Sequence, residues 1–116
     1  MVEHSTNLIH TNLKILEILF QGYNKYMERY LIIFKGQVQG VGFRWRVMEI
    51  CESLGITGSV KNLDNGDVEA QLQGNSDQID AFFQKLYKPT GFIRIDDYSM
   101  KAIPVKPEET KFRVSY

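Results

Sequence analysis

After Met27 the sequence alternates between β-prone runs and segments with the apolar spacing of amphipathic helices. This alternation constrains the fold more than any other feature, because each kind of run can bury its apolar side in only a few arrangements. Glycine- and proline-containing segments interrupt the chain between these runs. Five runs favour strands: Tyr30–Phe34, Ile56–Leu63, Val68–Gln73, Ile93–Ile103 and Phe112–Tyr116.

Two segments between these runs predict helices. The first follows three glycines, ends at Gly55 and carries one apolar stripe: Phe43, Val47, Ile50, Cys51 and Leu54. The second is capped by Asn75 or Ser76, ends at Pro89–Gly91 and buries four residues: Ile79, Phe82, Phe83 and Leu86. The apolar faces of both helices must be buried against other parts of the chain.

The order β-α-β-β-α-β, with a short final strand, predicts an α+β fold of the ferredoxin-like split β-α-β type. We expect an antiparallel sheet with two helices on one face. Between the second and third strands, Asp64-Asn65-Gly66-Asp67 contains the Asn-Gly pair typical of tight hairpins in which both turn residues have positive φ.

Residues 1–26 form an extension to a domain predicted at 27–116. Its apolar stripe predicts an extra N-terminal helix: Ile9, Leu13, Leu16 and Phe20. Three interpretations stay open, namely a helix docked on the domain, a helix that mediates self-association, and a stretch added by an upstream start codon. An isolated helix of this length is marginal in water, so a folded one needs a partner.

Charge and cysteine content exclude several classes of partner and of catalytic group. The 116 residues carry 14 basic and 14 acidic side chains, so no net charge favours nucleic acid or an anionic membrane as a partner. The aromatic strand motif of RNA-binding sheets is also missing. Cys51, the only cysteine, suits a helix core better than a nucleophile. With no convincing export signal near the N-terminus, we expect a cytoplasmic protein.

The segment Gly36–Arg44 joins a strand to a helix through three glycines. Backbone N–H groups at a helix N-terminus have no intrahelical partner, and the aligned peptide dipoles add positive charge there. Glycines let such groups converge on an anion, and Arg44 adds a planar fork that matches two phosphate oxygens. An ordinary turn followed by an exposed arginine remains the alternative. The segment lacks the Gly-Lys-Ser/Thr of a Walker loop and the parallel β-α-β unit of a dinucleotide site.

Two motifs resemble the signatures of the acylphosphatase family. Gly36-x-Val38-Gln39-Gly40-Val41-Gly42-Phe43-Arg44 is similar to the first signature. Gly58-Ser59-Val60-Lys61-Asn62, followed by Asn65-Gly66-Asp67-Val68-Glu69, is similar to the second. They occur in the family's order with a predicted helix between them, and the resemblance extends from about Met27 to Tyr116.

The resemblance implies hydrolysis of small acyl phosphates to a carboxylate and inorganic phosphate, with no metal and no cofactor. Arg44 would clamp the phosphate and Asn62 would orient the attacking water. The implied phosphate-binding residues are Gln39, Gly40, Val41, Gly42, Phe43 and Arg44. The alternative is a non-catalytic anion-binding regulatory module of the same fold.

Two positions depart from the family pattern. Ser59 replaces a usual aromatic residue, which predicts altered packing and reduced stability, and Leu63 replaces a hydroxyl residue of some relatives, which predicts a changed rate. Trp45 and Arg46 are expected to shape the mouth of the site.

Overall fold

A computed structural model describes residues 26–88 and 91–116. The described residues form five strands and two helices, in the predicted order. The strands are β1 Glu28–Gln37, β2 Thr57–Asn62, β3 Val68–Gly74, β4 Arg94–Ile103 and β5 Phe112–Ser115. The helices are α1 Phe43–Leu54 and α2 Ser76–Leu86. The predicted N-terminal helix lies outside the described residues, as do Pro89 and Thr90.

The strands form one sheet in the order β4-β1-β3-β2-β5. The prediction of an antiparallel sheet is wrong for the last strand, since β5 runs parallel to β2. The cause is the place where β5 begins. β4 ends beside Arg29 at the start of β1, and Phe112 pairs with Gly58 near the start of β2, so β5 begins at the same end of the sheet. It therefore runs against β4 and along β2, and it finishes where β2 finishes.

Both helices cover one face of this sheet, as predicted. Alternate strand residues point to that face, including Ile32, Val60 and Ala70, which lie side by side in register. They form a single apolar core with the predicted helix stripes. Phe43 at the start of α1 packs edge-to-face on Phe34, with ring centroids 5.1 Å apart. This contact fixes the first turn of α1 against the end of β1.

The ends of the helices follow the sequence closely. Gly55 terminates α1 in the left-handed conformation, with φ 74°. The Asn75 side chain accepts from the Gln78 backbone N–H while the Gln78 side chain accepts from the Asn75 N–H, which completes a capping box at the start of α2. Phe83 is only half-buried, so the buried stripe of α2 is narrower than predicted.

The β2–β3 turn differs from the prediction. Among the described residues no residue other than glycine has a positive φ, so Asn65 does not adopt the left-handed conformation, whereas Gly66 does, with φ 96°. The Leu63 N–H donates to the Asp67 oxygen at 2.8 Å, and the Gly66 N–H donates to the Leu63 oxygen at 3.2 Å. This pattern is that of a three-residue loop in which one glycine takes the positive φ, so only one turn residue needs it.

In the part of the chain that the structure describes, no helix has the length and apolar character needed to cross a membrane.

Candidate active site

The β1–α1 loop lies at the end of the sheet where β1 and β2 finish. Gly40 and Gly42 adopt positive φ values of 72° and 80°, which residues with a Cβ atom rarely reach. Gly42 is also the N-cap of α1, so no side chain caps the helix there, and its first turn has no acidic residue. The sequence thus leaves the helix N-terminus open to an external anion.

The backbone N–H groups of residues 40–45 donate to no acceptor among the described residues. The first helical hydrogen bond runs from the Arg46 N–H to the Gly42 oxygen, at 3.1 Å. Consecutive donors of this kind at the positive end of a helix bind phosphate groups in proteins. The loop predicted to bind phosphate therefore has the donors that this role requires.

Gln39 connects this loop to the β2–β3 hairpin. Its side-chain Nε2 donates to the Leu63 oxygen at 2.7 Å and to the Asp67 oxygen at 2.9 Å. Both N–H bonds of the amide are used in these contacts. A contribution of Gln39 to anion binding therefore comes from its backbone, and its side chain sets the distance between loop and hairpin.

Arg44 is half-buried on the flank of α1 that faces β5. Its Nη1 donates to the Ser115 carbonyl oxygen at 3.0 Å, and its guanidinium carbon lies 4.7 Å from the centroid of the Tyr116 ring. Its Nε and Nη2 groups form no hydrogen bond with any described residue. One edge of the fork is anchored, and the rest remains able to bind a ligand.

Asn62 is the last residue of β2 and pairs with Val68. Its neighbour Lys61 is in register with Ser115, the residue that holds Arg44. The parallel pairing of β2 with β5 thus brings the two predicted functional side chains to the same end of the sheet. The Asn62 Oδ1 atom is buried and accepts no hydrogen bond from any described residue. Within the described part of the chain, this oxygen is therefore an unsatisfied hydrogen-bond acceptor at the end of the sheet.

Two acidic residues of the hairpin are paired with lysines. Asp67 lies 2.8 Å from the Lys35 ammonium and Glu69 lies 3.8 Å from that of Lys61. The described residues contain no group of three or more His, Cys, Asp or Glu side chains placed to hold a metal ion. Cys51 is fully buried in the core, and burial raises the pKa of its thiol well above the usual value. The polar groups beside the loop are thus an arginine and a neutral amide.

Sequence reasoning missed Ser115 and Tyr116, which hold Arg44. Only the alternation of Phe112 and Val114 on the buried face marks this segment as a strand, and it does not indicate which strand is its neighbour. The supporting side-chain role of Gln39 was missed as well, because it depends on contacts 24 and 28 residues away.

The two departures from the family pattern lie close to these elements. Ser59 is half-buried opposite Gln71 on the face of the sheet away from the helices. The backbone of Leu63 accepts from Gln39 and closes the hairpin loop. Neither residue contributes a side chain to the loop.

Known proteins resemble this chain over most of its length. The model of the Acylphosphatase family matches residues 30–114. The acylphosphatase of Clostridium beijerinckii is 39% identical over 90 residues, which cover 78% of this chain and 100% of that protein. A structure of an acylphosphatase from Coxiella burnetii superposes with a TM-score of 0.70 at 33% identity, covering 80% of this chain and 97% of the other. The crystal structure of acylphosphatase from Bacillus subtilis gives a TM-score of 0.68 at 30% identity, over 77% of this chain and 99% of that one.

Proposed function

Because the chain belongs to the acylphosphatase family, we propose that Arg44, Asn62 and the backbone of residues 39–44 form the site at which it hydrolyses small acyl phosphates. The chain is an enzyme that splits the carboxyl-phosphate bond and releases a carboxylate and inorganic phosphate. One observation carries the site assignment: β2 and β5 bring Arg44 and Asn62 to the end of the sheet where the loop N–H groups have no protein acceptor.

The loop backbone binds the phosphoryl group. Its N–H groups and the positive end of α1 stabilise the charge on the phosphoryl oxygens, both in the substrate and as that charge is redistributed in the transition state. The donors are fixed by the backbone before substrate arrives, so little reorganisation is needed during the reaction.

Arg44 supplies the permanent positive charge. The Ser115 carbonyl oxygen accepts from Nη1 and the Tyr116 ring lies beside the guanidinium, which leaves Nε and Nη2 to donate to the phosphoryl group. Two parallel N–H···O bonds from one guanidinium to two phosphate oxygens add both affinity and orientation.

Asn62 positions the nucleophile. Its Oδ1 accepts a hydrogen bond from a water molecule, whose oxygen then attacks phosphorus. The new O–P bond forms as the bond between phosphorus and the acyl oxygen breaks, and the electron pair leaves with the carboxylate. The water protons pass to the phosphate product and solvent. A carboxylate is a good leaving group, so positioning and charge stabilisation are enough and a strong general base is not required.

We further propose that residues 27–116 are the complete catalytic unit and that the protein acts in the cytoplasm. The site and the five strands that the structure describes lie within that range, which supports the first point. A single buried thiol, Cys51, is consistent with a reducing compartment. Self-association through the residues before Met27 is a separate hypothesis and lies outside the described residues.

Hydrolysis of benzoyl phosphate in excess chelator tests the site. The wild type should turn over without added metal, and Arg44→Ala should lose about a thousandfold in kcat/KM, as expected when a charged transition-state donor is removed. Arg113→Ala removes an exposed arginine of β5 and serves as the matched control, with activity close to that of the wild type. Full activity of Arg44→Ala would overturn the assignment, and an inactive wild type would favour the anion-binding module.

A further inference from the structure

A shallow groove begins at the phosphate loop and runs along the outer face of α1. Val41 and Gly42 belong to both the loop and the groove. Three more apolar side chains complete its wall: Trp45, Met48 and Ile93. We call these five residues the acyl groove.

The spacing along α1 explains why Trp45 faces outward. Phe43 and Val47 turn toward the core, and Trp45 falls on the opposite side of the helix. Met48 lies between these two sides and is partly buried against the core, as are Val41 and Ile93. Trp45 is 54% exposed, and this large apolar surface lies within three residues of the loop glycine Gly42. Together with the apolar groove residues beside it, Trp45 forms a contiguous apolar surface next to the loop, and such surfaces mark binding sites.

The charged residues at the groove restrict what can bind there. Arg46 is anchored away from the loop, because its Nη2 donates to the Lys85 carbonyl at 2.6 Å near the end of α2. Glu49 and Glu52 are exposed at the end of the groove distant from the loop. Two carboxylates there repel a ligand that carries a second negative charge.

We propose that the acyl groove holds the acyl group of the substrate and that the enzyme prefers neutral, apolar acyl phosphates, aromatic ones among them. This inference rests on the proposed function, since an acyl group reaches the groove only when its phosphoryl group occupies the loop. The groove shares two residues with that loop, so it is continuous with the binding site for the phosphoryl group. Removing the apolar surface of a ring from water then contributes to affinity in proportion to the area covered.

The kinetic constants of two substrates test this assignment. Benzoyl phosphate carries a ring that can lie on Trp45, and acetyl phosphate carries only a methyl group. Trp45→Ala should lower kcat/KM for benzoyl phosphate by about tenfold and for acetyl phosphate by no more than about twofold, because less apolar surface is involved. Met100→Ala, a change of a half-exposed apolar residue on β4 away from the groove, should leave both values within about twofold of the wild type.

A second pair of variants tests the role of the carboxylates. The double variant Glu49→Gln/Glu52→Gln should raise kcat/KM for succinyl phosphate, whose acyl group ends in a free carboxylate, severalfold relative to benzoyl phosphate. Equal losses on benzoyl and acetyl phosphate in Trp45→Ala, or no loss on either, would overturn the acyl groove while leaving the proposed function intact. A wild type inactive on both substrates would overturn the proposed function itself.

Discussion

The guanidinium of Arg29 and the carboxylate of Glu109 form a two-pronged ion pair, with Nη1–Oε1 at 2.8 Å and Nη2–Oε2 at 3.1 Å. Gln71 and Gln73 accept the remaining three guanidinium hydrogen bonds, so every donor of a side chain that is only 2% exposed has a partner. Because Glu109 lies in the connection between β4 and β5, this network holds that connection against β1 and β3. The strand that follows this connection, β5, carries Ser115, whose carbonyl oxygen accepts from Arg44.

Glu109→Gln should lower the free energy of unfolding at neutral pH by about 1–3 kcal/mol, the range for a hydrogen bond to a buried charge. The physical reason is that Arg29 keeps its charge and its burial but loses the carboxylate that balances it. Urea denaturation measures the change. Glu108→Gln is the matched control, since Glu108 is exposed and has no ion pair among the described residues, and its effect should stay within about 0.5 kcal/mol.

The same pair predicts a pH dependence. Burial alone would raise the pKa of Glu109, but the hydrogen bonds and charge of Arg29, with contributions from Thr57 and Lys106, outweigh it and hold that pKa below its ordinary value of 4.5. A carboxyl group whose pKa is lower in the folded protein than in the unfolded chain stabilises the fold at pH values above its unfolded-state pKa. This stabilisation is lost as the pH falls through its folded-state pKa. The difference in unfolding free energy between wild type and Glu109→Gln should therefore shrink on going from pH 6 to pH 3. A difference that stays constant over this range would contradict the ion pair.

Gln39→Leu should lower kcat by about tenfold to a hundredfold, the cost of a small misplacement of reacting groups. The substitution removes both hydrogen bonds that hold the β2–β3 hairpin against the phosphate loop, so Asn62 shifts relative to the bound phosphate. Steady-state kinetics on benzoyl phosphate provides the measurement. Gln37→Leu makes the same change at an exposed position two residues earlier and should retain activity. If both variants are equally active, Gln39 does not position the hairpin.

Gly42→Ala should weaken inhibition by inorganic phosphate by about tenfold, because a left-handed conformation costs an alanine about 1 kcal/mol or more and the loop relaxes away from it. A Cβ atom at Gly42 would meet nothing within 4 Å, so the effect is conformational. Gly91→Ala offers a control with positive φ and equally open space outside the loop. An unchanged inhibition constant for Gly42→Ala would argue against binding through the loop backbone.

The sequence predicts elements whose determinants are local. Gly55 ends α1 and Asn75 begins α2, because glycine and asparagine favour the backbone and side-chain geometry of those two positions. The motifs also placed Gly36–Arg44 at the junction of a strand and a helix N-terminus, where the structure has it. Each of these inferences depends on residues within a few positions of one another.

Contacts between distant segments were not predictable. An arginine in a strand is usually exposed, and the burial of Arg29 follows only from Glu109, 80 residues later in the chain. The parallel direction of β5 depends on where the β4–β5 connection crosses the sheet, which no periodicity encodes. Asn62 has an ordinary local explanation beside a turn, so a role in the site depends on the family resemblance and on two long-range observations. These are its position at the end of the sheet where Ser115 holds Arg44 and its buried Oδ1 atom, which has no partner among the described residues.

The division of labour between Arg44 and Asn62 is tested most directly by Asn62→Ala, measured with benzoyl phosphate as substrate and inorganic phosphate as competitive inhibitor. If Asn62 holds the attacking water through Oδ1 while the loop and Arg44 bind phosphate, kcat should fall by about a hundredfold or more and the inhibition constant for phosphate should stay within about twofold of the wild type. A variant that keeps the wild-type kcat, or one that loses phosphate binding in proportion to kcat, would contradict this account.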